Sequence, residues 1–171
     1  AGYTLDQIGW TSVRGGDNGF GFNLSLRQFT ELRNLLESGQ RVVLRAHVET
    51  SRVPGRMNVV SAAIPGTDPD AGELIKVSHL FERPPTPGAS DNCTGVAVTL
   101  EIARTLAELI RRGELPRPRR TIRFLWVPEI SGSRAFMYAN PELEDRLIAA
   151  MNYDMPGEDL EETDSYLRMK M

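Results

Sequence analysis

Cysteine is almost missing from this chain: Cys93 is the sole example. A single thiol closes no intrachain disulfide, and a thiolate zinc site needs several sulfur ligands at close spacing. Any metal must therefore be held by imidazole and carboxylate. Histidine is scarce too, represented by His47 and His79. No apolar run approaches the roughly 18 residues that span a bilayer. The start, Ala1-Gly2-Tyr3-Thr4, lacks the basic-then-apolar layout of a secretory leader. A soluble chain with no membrane partner is the expectation. Neither sign of charge dominates, because 20 basic side chains stand against 23 acidic ones for a net charge of −3. That balance is too small and too mixed for a nucleic-acid surface or an electrostatic membrane anchor.

What is present suits one domain, or part of one: 171 residues with 40% hydrophobic content can bury a real core but not two ordinary ones. Up to about Ser25 the chain is polar and glycine-rich, and Gly15-Gly16-Asp17-Asn18-Gly19 is a cluster of turn formers. Ser25 followed three residues later by Gln28 is a helix N-cap signature, and Phe29, Leu32, Leu35 and Leu36 keep helical spacing until Gly39. Residues 1–40 are expected to be a loop and helix, the remnant of a lid or insert domain, with the core over 41–171.

Two strand-like runs follow, Arg41 to Thr50 and Met57 to Ile64, separated by the turn pair Pro54-Gly55. Leu74 to Leu80 reads as a strand ending at His79, and Thr94 to Arg112 as a long helix entered from a loop that holds Asp91. Thr121 to Val127 is a short apolar strand with Glu129 just beyond it. A helix begins within Ser133 to Tyr138, and Leu147 to Met155 is a strand with Asp154 at its end. Strands alternating with helices imply an α/β three-layer sandwich around a mostly parallel or mixed sheet. In such sheets the chemistry gathers beyond the carboxyl ends of the strands. His79, Asp91, Glu129 and Asp154 are thus expected on one edge.

A hydrolytic metal site needs His and carboxylate ligands that leave a position open for water, and a bridging carboxylate suits two ions about 3.5–4 Å apart. Asp91, in Gly88-Ala89-Ser90-Asp91-Asn92, is flanked by small or polar residues that leave its approach clear.

Val77-Ser78-His79-Leu80, Pro87 to Ala97 (PGASDNCTGVA), Leu100 to Arg104 (LEIAR), Arg120 to Phe124 (RTIRF) with Pro128-Glu129, and Asn152-Tyr153-Asp154-Met155-Pro156-Gly157 recur here in a telling order. In order and spacing these stretches resemble the aminopeptidase Y type of co-catalytic zinc exopeptidases, whose superfamily includes glutaminyl cyclases. The resemblance covers about Met57 to Asp159. It implies a zinc-exopeptidase-like (phosphorylase/hydrolase-like) fold and two zinc ions. His79 and Asp154 would hold one ion, Asp91 would bridge, and Glu129 would bind the second ion or act as general base. The implied reaction is removal of an N-terminal residue from a peptide substrate.

The chain departs from that pattern twice. Pro128 stands where the family commonly has the first of two adjacent glutamates, so Glu129 alone remains, and one carboxylate cannot both shuttle protons and be committed to a metal; Glu82, close after His79, is a candidate substitute. No histidine follows Met155, so the family's last ligand is expected beyond this sequence, in a domain incomplete at its C-terminus. Two other functions remain open: a catalytically silent peptidase-like module, and a glutaminyl-cyclase-like acyl transferase. Plainer roles compete as well. Asp91 could cap the long helix, Glu129 could be a helix-start charge, and Asp154 a turn former. Glu101 is expected to pair with Arg104, His47 to decorate a polar strand face, Cys93 to be a small packed thiol, and Arg117, Arg119 and Arg120 to be solvated.

Overall fold

The computed structural model describes residues 4–8, 20–51, 53–81, 87–164 and 166. The glycine cluster at 15–19 and Glu82 lie outside the described residues. The chain divides into two compact units, Ala1–Val53 and Pro54–Met171.

In the first unit, helix α1 (Leu26–Glu37) starts where the sequence indicates. The Ser25 hydroxyl accepts from the Gln28 amide at 3.3 Å, and the Gln28 side chain accepts from the Ser25 amide at 3.0 Å. This reciprocal box satisfies two of the amides that a helix start leaves without intrahelical partners. Gly39, at φ +76°, follows the helix end. Arg27 grips the Asp6 carboxylate at 2.6 and 3.0 Å and holds that carboxyl below its ordinary range. The strand expected over 41–50 is not formed: these residues carry no regular structure and are nearly all exposed. Alternation alone does not make a strand, because its hydrogen bonds must come from a neighbour. None of the described residues pairs with this segment. His47 is at the surface, 83% exposed, with Nε2 3.2 Å from Glu49.

The second unit is built on a mixed four-stranded sheet of β1 (Val60–Ile64), β2 (Glu73–Phe81), β3 (Thr121–Pro128) and β4 (Leu147–Asn152). The spatial order is β1-β3-β2-β4, with β1 antiparallel to β3 and the other three strands parallel. Helix α2 (Gly95–Arg111) links β2 to β3, and α3 (Ser131–Ala139) links β3 to β4. A short α4 (Leu160–Thr163) follows. Side chains alternate along β3, and the two helices use that alternation. Leu125 and Val127 join Ile75 in a core that Phe136 of α3 packs against. Trp126 points to the other face, where its indole N–H donates to the Val96 carbonyl of α2 at 3.3 Å. Sheet between helices gives the expected three-layer α/β sandwich.

From β2 the chain crosses to β3 on one side, then returns over β2 to place β4 on the other. Connections leave the carboxyl ends of β2 and β3 toward opposite faces of the sheet. A crevice opens at such a switch point, and ligands bind there in open α/β sheets. At the far end of β2, the nearly buried Glu73 carboxylate takes Arg123 at 2.9 Å and Arg146 at 3.6 Å, tying the starts of three strands together. The arginines between α2 and β3 do more than solvate a connection. Arg119 pairs with Asp68 at 3.0 Å, while Arg117 and Arg120 donate to the carbonyls of Pro65 and Ala71, fastening the β1–β2 turn.

Candidate metal centre

Strand β2 delivers His79 to the crevice. The ladder with β4 pairs Val77 with Asn152, and the Tyr153 amide extends it by donating to the Val77 carbonyl at 2.9 Å. Two residues beyond that pair on each strand stand His79 and Asp154. Asp91 arrives from a different direction. Between β2 and α2 the chain makes a π-helical turn, Ala89–Thr94, in which Asp91 and Asn92 have non-helical torsions. Asp91 is therefore not the cap of α2. Thr94 holds that position and makes no side-chain capping bond.

The three residues converge. His79 Nε2 lies 2.9 Å from Asp91 Oδ1 and 3.4 Å from Asp154 Oδ1. One ligand atom from each lies within 4.8 Å of the other two. A four-coordinate zinc with bonds near 2.0–2.2 Å separates its ligands by about 3.3 Å, so the spacing fits an ion of that size. The imidazole is 7% exposed and the two carboxyl groups are 42% and 46% exposed. The cluster is thus anchored on its protein side and open toward solvent. An open side is what a catalytic site keeps and a structural site closes. Two carboxylates facing one imidazole also concentrate negative charge, which a divalent cation would neutralise.

Glu129 is not part of this set. It follows β3 directly and lines a cleft of about 530 Å³ with Met57, Ile130, Arg134 and Tyr138. Its carbonyl accepts from the Ser131 amide at the start of α3. Gly132 lets α3 come this close, because a Cβ there would collide with Pro128 and stand 2.9 Å from the Val127 Cβ. The residues that follow Glu129 and Asp154, namely Ile130 at φ 55° and Met155 at φ 51°, both have a positive φ that side chains rarely adopt. That conformation costs a non-glycine residue about 1–3 kcal/mol and recurs at functional sites.

Glu101 pairs with Arg104 at 2.6 Å on the surface of α2, well inside the helix. Cys93 is exposed, not the small packed thiol expected. Sequence reasoning passed over Asn92. It is 3% exposed, and its side-chain amide bonds three backbone groups around the cluster. The small residue Gly95 three positions later was the available sign that something must pack closely there.

Fold and site together define a class: an α/β protein with a nitrogen-and-oxygen ligand set, suited to a divalent cation, at the carboxyl edge of its sheet. The sequence profile of peptidase family M28 matches residues 58–170, and the chain belongs to that family. No curated protein sequence matches significantly. Among solved structures, the chain is similar to a candidate peptidase from Clostridium acetobutylicum, at 22% identity and a TM-score of 0.48 over 58% of this chain. The match spans 21% of that protein's chain, about a fifth of its length. Among the described residues no helix is long and apolar enough to cross a membrane.

Proposed function

We propose that this chain carries the zinc-binding part of an aminopeptidase-type hydrolase that removes N-terminal residues from peptides. The observation that supports this most is the meeting of His79 Nε2 with the carboxylates of Asp91 and Asp154 in a member of a peptidase family. In this reading His79, Asp154 and Asp91 would hold the zinc, with Asp91 the carboxylate available to a second ion. Bound zinc supplies a Lewis acid for the scissile carbonyl and an acidified water as nucleophile. The chain's own groups do the rest. Buried His79 fixes the cluster to the sheet, and the half-exposed carboxyl groups leave the substrate side open. Glu129, on the neighbouring strand end, takes a proton on its carboxylate and returns it to the departing amine. The cleft beside it is wide enough to receive a substrate side chain.

The test is hydrolysis of aminoacyl-nitroanilides by the metal-loaded protein, abolished by chelation, restored by zinc and lost in Asp91→Ala. Undiminished turnover by metal-free protein sinks the proposal. A second reading, a silent relative that binds peptides without cleaving them, draws on Glu129 standing outside the three-ligand set. Peptide binding by the zinc form with no turnover of any aminoacyl substrate would decide for it. Cyclisation of an N-terminal glutamine peptide would decide instead for acyl transfer.

A further inference from the structure

We infer that Asn92 is a positioning residue for the cation, clamping the segments that carry Asp91 and Asp154 so that their carboxylates face one point. The inference rests on the metal-site reading and assigns a new part of it. Asn92 follows Asp91 in the chain and is 3% exposed. Its Nδ2 donates to the Tyr153 carbonyl at 2.9 Å, and its Oδ1 accepts from the amides of Met155 at 3.1 Å and Gly95 at 3.0 Å. Two of these three partners are the residues on either side of Asp154. One buried amide thus ties the turn bearing the first carboxylate to both flanks of the second, across 61 residues of sequence.

An amide fits the task for a physical reason. Two carboxylates brought near one point repel, so whatever holds them together must bond backbone donors and acceptors without adding charge. Asn offers both kinds of group and no charge. Buried, each bond is costly to lose, because its backbone partner would be left without one. The bond to Met155 also holds the residue whose φ of 51° turns the chain immediately after Asp154. Gly95 completes the fit: a Cβ there would collide with both Asn92 Oδ1 and the Tyr153 carbonyl oxygen. Ser90 to Glu158 at 3.3 Å is a further tie between the same two segments. Partners that orient ligands in this way typically change metal affinity 10–100-fold when removed.

The experiment measures cobalt(II) and zinc affinity by chelator competition, and the cobalt absorption spectrum, in wild type, Asn92→Ala, Asn92→Asp and Trp126→Phe. Asn92→Ala is expected to bind on the order of 10–100-fold more weakly, with a shifted spectrum. Trp126→Phe removes a partly buried indole bond to the Val96 carbonyl, beside the clamp's Gly95 but making no bond to Asn92 or to the segment of Asp154, and should lower thermal stability while leaving affinity unchanged. If Asn92→Ala does not fold, Asn92→Asp carries the test. It keeps acceptors for both amides but loses the donor to Tyr153, and its extra negative charge alone would strengthen cation binding, so weaker binding identifies the clamp. Wild-type affinity and spectrum in Asn92→Ala, tighter binding in Asn92→Asp, or an equal loss in Trp126→Phe overturns the inference. A wild-type protein that binds neither ion defeats the metal-site reading itself.

Discussion

Replacing Asp91 with alanine takes away one of the three ligand atoms that meet at the cluster, and the consequence can be read as heat stability. Ligand that binds only the native state stabilises it by RT ln(1 + [L]/Kd), about 2.7 kcal/mol at a hundred times Kd. For a unit of about 120 residues the unfolding entropy near 60 °C is about 0.25 kcal/mol per degree. Wild-type protein should therefore melt roughly 11 °C higher with zinc at that concentration than after chelation. Disturbing an outer-shell partner costs 10–100-fold in affinity, and losing a direct ligand should cost at least the upper figure. At the same zinc concentration Asp91→Ala would then retain only about 0.4 kcal/mol, a rise of about 2 °C. Differential scanning calorimetry of both proteins, with zinc and with chelator, measures the two shifts. Equal shifts in wild type and variant would refute the ligand assignment of Asp91.

Elsewhere the structure fixes further outcomes. Glu73→Gln leaves Arg123 beside a neutral amide at a site where the lost carboxylate is 5% exposed. Because Arg123 is itself a quarter exposed, the cost should fall below the usual 3–5 kcal/mol for a broken buried pair, at about 2–3 kcal/mol by urea denaturation, with metal affinity unchanged. The Thr99 hydroxyl is fully buried with no hydrogen-bond partner among the described residues. Thr99→Val keeps its shape, and should raise stability by about 1 kcal/mol in the same assay; a loss would mean the hydroxyl is satisfied. Hydrogen bonds from Arg104 and then Thr105 hold the Glu101 carboxyl down to about 2 from 4.5. Its folded-state value is depressed, so what it contributes is present above pH 4.5 and fades as pH falls toward 2. Carboxyl NMR titration should place its midpoint near 2 and, in Arg104→Ala, back toward the ordinary value.

The second unit was legible because its elements announce themselves locally. Apolar runs bounded by Gly and Pro marked β2, β3 and β4, and in the first unit the Ser25–Gln28 box marked the start of α1. The segment 41–50 misled for the opposite reason: its alternation is a strand's, but a strand exists only by pairing, and pairing is not written in one segment. Family order pointed to His79, Asp91 and Asp154, whose side chains lie near one another in the structure, yet it gave no account of how they are held. Asn92 escaped because its partners are backbone groups, which leave no trace in residue type. Glu129, read as ligand or general base from its place after a strand and from family order, stands at the end of β3 outside the three-residue cluster. A one-residue register shift between β2 and β3 after His79, and the positive φ of Ile130, set where that strand end falls.

The return of the chain across β2 has a kinetic corollary. Two of the groups proposed to hold the cation are in place once β2 and the following turn have formed, but the third arrives only when β4 slots in beside β2. Ordering so distant a segment costs loop entropy before any coordination bond rewards it. Zinc added to the unfolded chain should therefore leave the folding rate nearly untouched and slow unfolding instead, acting as a latch that closes after the door.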